Sequence, residues 1–197
     1  MYVIGVLALQ GDVSEHVSAL KNASVEYDIN SKVVEVKTTE AFQSLDALVI
    51  PGGESTTIGK LIEKYSLAAE IKKLAAKGKP ILGTCAGLVL MAKKGNSEVK
   101  KTGQKLLGLM SIEVQRNAFG RQRESFEAFL KIKGFDREYL GIFIRAPVVK
   151  KVWNNAKVLA KFEDKIVLVR QENLLAAAFH PELNPDLRFY KLFFDLF

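Results

Sequence analysis

Short apolar runs alternate with stretches of helical periodicity through the first half of this chain, and few architectures accept that alternation. Residues 2–9 are apolar nearly throughout, as a strand buried on both faces must be. Asp12 stands three residues before Glu15, a loose capping box that opens a helix to about residue 23. Residues 33–36 read as a second strand; residues 24–32 either extend it or form a small hairpin. Residues 47–50 form a third strand, stopped by Pro51-Gly52-Gly53. Ser55 or Thr56 then caps a helix carrying Ile58, Leu61 and Ile62 at helical spacing. A further helix over residues 68–77 ends at Gly78, Pro80 opens a strand at 81–83, and residues 86–94 are helical again. Such a β-α-β-α order predicts an α/β fold whose mostly parallel central sheet is flanked by helices on both faces, three layers in all.

The second half changes character. Residues 109–114, 126–132, 141–145, 156–162, 165–170 and 174–179 are strand-like, and some of these strands are expected to run antiparallel. Asn184-Pro185 supplies an N-cap and a first-turn proline for a last helix, with Leu187, Tyr190, Phe193 and Phe194 facing inward. With no repeat and no long linker, residues 1–197 read as a single domain.

No apolar stretch approaches the ~20 residues that a membrane helix needs, and Met1 leads straight into a strand rather than a basic leader. One cysteine rules out an internal disulfide, so the expected compartment is the cytoplasm. The net charge of +7 raises the question of nucleic acid. Basic residues are spread among acidic ones, however, and pairs such as Lys72-Lys73 and Lys93-Lys94 fall in helical text, which reads as solvated surface.

The chemistry centres on Gly83-Thr84-Cys85-Ala86-Gly87, a G-x-C-x-G between a buried strand and a helix. This is the nucleophile-elbow pattern with sulfur in place of oxygen. It lifts the sulfur to the carboxyl end of the sheet, where open α/β folds place their sites, and the helix N-terminus favours the thiolate. A cysteine nucleophile needs a base. His180 ends an apolar strand and is followed by Pro181-Glu182. In extended backbone, i and i+2 share a face, so Glu182 is expected to reach back and fix the His180 tautomer. His16, on the first helix, is assigned a structural or interface role.

Two features stay open on physics alone. Pro51-Gly52-Gly53-Glu54-Ser55-Thr56-Thr57 is either a plain turn with a helix cap or a backbone cradle for a carboxylate or oxyanion. Arg116 and Arg145 are either carboxylate clamps or surface salt-bridge partners.

Gly-Thr-Cys-Ala-Gly with a late His-Pro-Glu resembles the class I (triad) glutamine amidotransferases, a flavodoxin-like fold. Four more segments are similar to the glutaminase subunits of pyridoxal phosphate synthase: residues 5–11, residues 52–57, Arg116-Asn117-Ala118-Phe119-Gly120-Arg121-Gln122, and Phe143-Ile144-Arg145-Ala146-Pro147. The resemblance implies that Cys85 attacks the glutamine amide, with His180 and Glu182 completing the triad. It implies that Gly53, Glu54, Ser55, Arg116, Ile144 and Arg145 bind L-glutamine, and that the subunit needs no metal or cofactor. It also implies that ammonia passes to a barrel-fold synthase subunit in a large hetero-oligomer with a dodecameric synthase core. That partner makes pyridoxal phosphate, the vitamin B6 cofactor, from a pentose phosphate and a triose phosphate. The Gly-Gly-Glu-Ser-Thr-Thr and Arg-Asn-Ala-Phe-Gly-Arg-Gln segments speak against the rival glutaminase of imidazole glycerol phosphate synthase. The intact Cys85, His180 and Glu182 speak against a non-catalytic binding subunit of the same fold.

Overall fold

β1 (Tyr2–Leu7) enters the molecule from an exposed Tyr2 and is fully buried from Ile4 onward. α1 (Val13–Glu26) follows, burying His16, Ala19, Leu20 and Ala23 at the i, i+3, i+4, i+7 spacing of one helix face. The computed structural model describes residues 1–120 and 124–197. After α1 come β2 (Ser31–Val36), a 3-10 turn (Glu40–Ser44), β3 (Ala47–Ile50), α2 (Ser55–Lys64), α3 (Leu67–Ala76), β4 (Ile81–Thr84) and α4 (Ala86–Met91). The second half carries β5 (Ala92–Gly95), α5 (Ser97–Lys101), β6 (Met110–Gln115), β7 (Ser125–Leu130), β8 (Tyr139–Ile144), β9 (Val148–Val152), β10 (Lys157–Phe162), β11 (Lys165–Gln171), β12 (Leu174–Ala177) and α6 (Arg188–Phe194).

The main sheet runs β2-β1-β3-β4-β12-β11-β9-β6-β5, with β10 added to β11. β2, β1, β3, β4 and β12 are mutually parallel. From β12 the sheet continues through antiparallel β11, β10 and β9, and the β5–β6 edge pair is parallel. β7 and β8 form a separate hairpin. α1 packs with α6, whereas α2 packs on α3 and α4, so the helices flank the parallel core as the alternation predicts. Strand order reverses between β1 and β3, and such a switch point opens a crevice at the carboxyl ends of the strands.

Several local expectations need correction. The ambiguous 24–32 stretch is the end of α1 and the start of β2, joined by Asp28 at φ 51°. Ser24 Oγ pins the junction, 2.7 Å from Ser31 Oγ. The helix expected over 86–94 stops at Met91, because Ala92–Gly95 pairs with β6. β9 was not expected at all. The last helix starts at Arg188 rather than after Asn184. Asn184 instead donates from Nδ2 to the Leu140 carbonyl and accepts the Asp186 N–H, tying the segment to β8. Tyr190, Phe193 and Phe194 face inward as expected, joined by Phe189, while Leu187 is only half-buried. No helix among the described residues is long and apolar enough to cross a membrane.

Candidate active site

Cys85 occupies the turn between β4 and α4 at φ 47°, ψ −98°, a conformation that costs a non-glycine residue about 1–3 kcal/mol. The surroundings hold it there. Its N–H donates to the Ala177 carbonyl at the end of β12, 2.8 Å away. A Cβ on Gly87 would lie 2.1 Å from the Ile50 carbonyl oxygen, and one on Gly83 would lie 2.5 Å from Met91 Sδ and 2.7 Å from the Gly87 carbonyl carbon. Both flanking glycines are therefore required by backbone-on-backbone packing, as the elbow pattern anticipates. The thiol, nearly buried at 8% exposure, approaches the Ile144 carbonyl at 3.8 Å.

His180 leaves the end of β12, the next parallel strand. Its Nδ1 lies 2.7 Å from Glu182 Oε1, with the Glu182 side chain fully buried. Glu182 reaches back as expected, but from a 3-10 turn (Pro181–Leu183) rather than extended backbone. In the sequence Asp12 reads as a helix cap. It makes no side-chain cap bond, and its Oδ2 stands 3.4 Å from the same Nδ1. The His180 Nε2 has no ordinary hydrogen bond among the described residues, yet Cys85 acts on the ring. Burial alone would lower the His180 pKa, but Asp12, Cys85 and Glu182 together raise it to about 12. The ring is thus an imidazolium beside the sulfur, ready to donate a proton. Asp12, His180 and Glu182 have the atom types of a metal site. Nδ1 at 2.7 Å from Oε1 is placed as a hydrogen-bond donor between carboxylates, which is the arrangement of a triad.

The Gly52-Gly53 turn follows β3. The Gly52 carbonyl accepts the Asp12 N–H at 3.3 Å, so the N–H of the same trans peptide, on Gly53, projects the opposite way. Space here admits only glycine. A Cβ on Gly11 would sit 1.7 Å from the Gly52 oxygen, and one on Gly52 would sit 2.6 Å from both His180 Cε1 and Asp12 Oδ2. Gln10 Oε1 accepts the Glu54 N–H at 2.9 Å. The N-cap of α2 is Glu54, not Ser55 or Thr56: its carboxylate accepts from Thr56 N and Thr57 N at 3.0 and 2.6 Å. Burial would raise the Glu54 pKa, but these donors bring it down to about 2.

Arg116 bonds Glu54 Oε1 and Thr56 Oγ1, both at 3.1 Å, with its side chain only 21% exposed. Ser55, nearly buried, donates to Gln104. Arg145 differs: its side chain is 72% exposed and meets Glu124 at 3.6 Å, while its backbone, at φ 45°, donates to the Glu124 carbonyl. Phe119 packs on Phe126 and Phe143, whose rings stack at 4.7 Å, and Ala118 N–H donates to the Ala146 carbonyl. This aromatic cluster ties the segment after β6, which carries Arg116, to the end of β8, which carries Ile144, at the cleft. The Arg121-Gln122 part of the sequence motif lies outside the described residues. Gly53, Glu54, Ser55, Cys85, Arg116, Ile144, Arg145 and His180 all line one cleft of about 850 Å³, and Glu182 stands behind His180.

A family model, the SNO glutamine amidotransferase family, matches residues 6–197. The chain belongs to that family. The pyridoxal 5'-phosphate synthase subunit PdxT of Methanosarcina mazei is 52% identical over 192 residues, covering 98% of this chain and 96% of that one. The subunit of the same name from Archaeoglobus fulgidus is 48% identical over 193 residues, covering 98% and 97%. A crystal structure of a glutamine amidotransferase superposes with a TM-score of 0.86 at 44% identity, covering 98% of this chain and 97% of that one.

In this SNO-family chain, three groups beside the triad carry no site role in the sequence: Asp12 reads as a helix cap, His16 as a structural or interface residue and Tyr190 as an inward-facing side chain. Asp12, the N-cap of α1, stands four residues before His16, whose N–H donates to the Asp12 carbonyl at 3.2 Å. α1 packs against the 3-10 turn that carries Glu182. His16 is fully buried, as a structural role requires, and its Nε2 lies 3.2 Å from Glu182 Oε2. Tyr190 OH lies 3.0 Å from His16 Nδ1. The i, i+4 spacing of Asp12 and His16 was the available signal.

Proposed function

We propose that this chain hydrolyses L-glutamine to L-glutamate and ammonia, and that it supplies the ammonia to a partner synthase subunit making pyridoxal 5'-phosphate. The observation that carries the reading is the cysteine held at positive φ beside a histidine whose Nδ1 is 2.7 Å from a buried glutamate. The Cys85 sulfur attacks the side-chain amide carbon of glutamine, and the carbonyl oxygen takes up the negative charge. The N–H following the nucleophile, on Ala86, and that of Gly53 are the donors for this oxyanion. The tetrahedral adduct collapses as His180 gives its Nε2 proton to the leaving nitrogen. Ammonia departs and a γ-glutamyl thioester remains. His180, now neutral, takes a proton from water; the hydroxide equivalent attacks the thioester, releasing glutamate and restoring the thiolate and imidazolium.

In this reading Gly53, Glu54, Ser55 and Arg116 hold the glutamine, together with the Ile144-Arg145 backbone. The whole of residues 1–197 acts as one glutaminase domain in the cytoplasm. The partner is a barrel-fold subunit assembled as a dodecameric core, with glutaminase chains bound around it. The test supplies glutamine labelled with ¹⁵N in its amide to the chain mixed with the synthase subunit of the same organism. Label should enter pyridoxal phosphate with wild-type chain and fail to enter with Cys85→Ala. Equal incorporation by both would overturn the reading.

A further inference from the structure

The buried Glu182 carboxylate has two oxygens, and the triad uses one of them. Oε1 takes His180 Nδ1 at 2.7 Å. Oε2 has no well-angled hydrogen bond among the described residues, but His16 Nε2 stands 3.2 Å from it with both side chains fully buried. The same Nε2 lies 2.9 Å from Thr84 Oγ1, on the residue before the nucleophile, and His16 Nδ1 lies 3.0 Å from Tyr190 OH on α6. One imidazole thus touches β4, the turn behind β12, and α6.

These contacts fix the proton on His16. Suppose Nδ1 carried it: Nε2 would then point a lone pair at a carboxylate oxygen 3.2 Å away, with both side chains fully buried and the repulsion correspondingly strong. With the proton on Nε2, the N–H donates to Thr84 Oγ1 and the Tyr190 hydroxyl donates to Nδ1. The same N–H then turns its positive edge toward Glu182 Oε2, a favourable charge contact at 3.2 Å. A charged ring is disfavoured, because burial lowers the His16 pKa more than Glu182 raises it. The other charges facing the ring are His180, Asp12 and Glu15.

We propose that His16, held as its Nε2–H tautomer by Tyr190, is a positioning residue of the glutaminase: it supports the outer oxygen of Glu182 so that the inner one stays on His180. The proposal rests on the glutaminase reading for its kinetic consequence, but not for its structural one. Freed of His16, the outer oxygen of Glu182 would lose the N–H edge that stands 3.2 Å from it, and the buried carboxylate would turn toward another donor. His180 would then lose its orientation.

The test has two arms. Only two histidines are present, so ¹⁵N-labelled histidine gives an assignable spectrum of the intact chain. His16 should show the neutral Nε2–H pattern from pH 5.5 to 8.5, and Tyr190→Phe should bring in the other tautomer. A neutral Nδ1–H ring, a cationic ring, or a Tyr190→Phe spectrum identical to wild type would overturn the proposal. In the complex with the synthase, His16→Leu should lower kcat about 10- to 100-fold with glutamine KM within about twofold. His16→Gln, whose amide can still donate toward Thr84 and Glu182, should recover most of that loss. Wild-type kcat in His16→Leu overturns the positioning role, as does an equal loss in both variants. If His16→Leu does not fold, the spectrum and the His16→Gln and Tyr190→Phe rates decide. A wild-type complex that never hydrolyses glutamine would refute the glutaminase reading, while the spectra would still judge the network.

Discussion

Replacing Arg116 by alanine should damage glutamine binding far more than replacing Arg145, although the sequence presents both as equal candidates. The Arg116 guanidinium is mostly shielded and already paired on the rim of the cleft, 3.1 Å from Glu54 Oε1 and from Thr56 Oγ1. A carboxylate brought to that fork gains charge-assisted bonds worth about 1.5–3 kcal/mol. Their loss corresponds to about 10- to 150-fold in kcat/KM, expressed mainly as a higher KM because the bonds are the same in ground and transition states. Arg145 projects into solvent with a 3.6 Å pair to an exposed Glu124, an arrangement worth about 0–1 kcal/mol. Alanine keeps the Cβ that the φ of 45° already tolerates, so Arg145→Ala leaves the backbone as it was and should change KM by less than about fivefold. Arg116→Lys keeps the charge but loses the fork and should fall between. The assay is steady-state glutamate release over a glutamine titration, with saturating synthase subunit. An unchanged KM in Arg116→Ala, or equal increases in Arg116→Ala and Arg145→Ala, would show that Arg116 does not grip the substrate carboxylate.

Glu182→Gln should lower kcat by about 10-fold or more while leaving glutamine KM near wild type, because a charge-assisted 2.7 Å bond to His180 is lost where orientation matters; a wild-type kcat would show that Glu182 does not orient the base. Glu54 is a carboxylate of pKa about 2 in the fold against the usual 4.5, so its contribution to stability is present above about pH 4.5 and fades as pH falls toward 2. Urea midpoints of wild type and Glu54→Gln should therefore differ by a constant amount above pH 5 and converge on acidification; divergence toward low pH would reverse the sign and refute the assignment. The chain alone should hydrolyse glutamine about 10²- to 10³-fold more slowly than in complex with the synthase, the value of one oxyanion donor. The reason is that the Gly52-Gly53 peptide, held with its carbonyl on the Asp12 N–H by a 3.3 Å bond, is flanked by glycine and can turn that carbonyl to the substrate when no partner secures it. Full activity in the isolated chain would exclude the switch.

What was legible in the sequence is what backbone sterics dictate. Gly83 and Gly87 announced the elbow because no side chain fits against Met91 or the Ile50 carbonyl. The parallel half was legible because strands buried on both faces must be apolar throughout. Elements decided by tertiary contacts were not. Ala92, Lys93 and Lys94 favour helix in isolation, and the strand exists because β6 offers them a partner. Asn184 looks like a helix cap but spends both ends of its amide elsewhere, leaving Asp186 to take the Arg188 N–H. Asp28 does at the end of α1 what a glycine would have advertised. In the site, Cys85, His180 and Glu182 were readable because they lie in short motifs. Asp12 and His16 join them through the pairing of β1 with β3, β3 with β4 and β4 with β12, which no local pattern encodes.

The proposed glutaminase chemistry depends above all on Cys85 acting as the nucleophile on a glutamine side chain. The most direct measurement is intact mass after treating the synthase-bound chain with an electrophilic glutamine analogue. One adduct should form, map to Cys85, and be prevented by excess glutamine, with no adduct and no glutamine hydrolysis in Cys85→Ala. An unmodified wild-type chain, or glutaminase activity surviving in Cys85→Ala, would contradict the account.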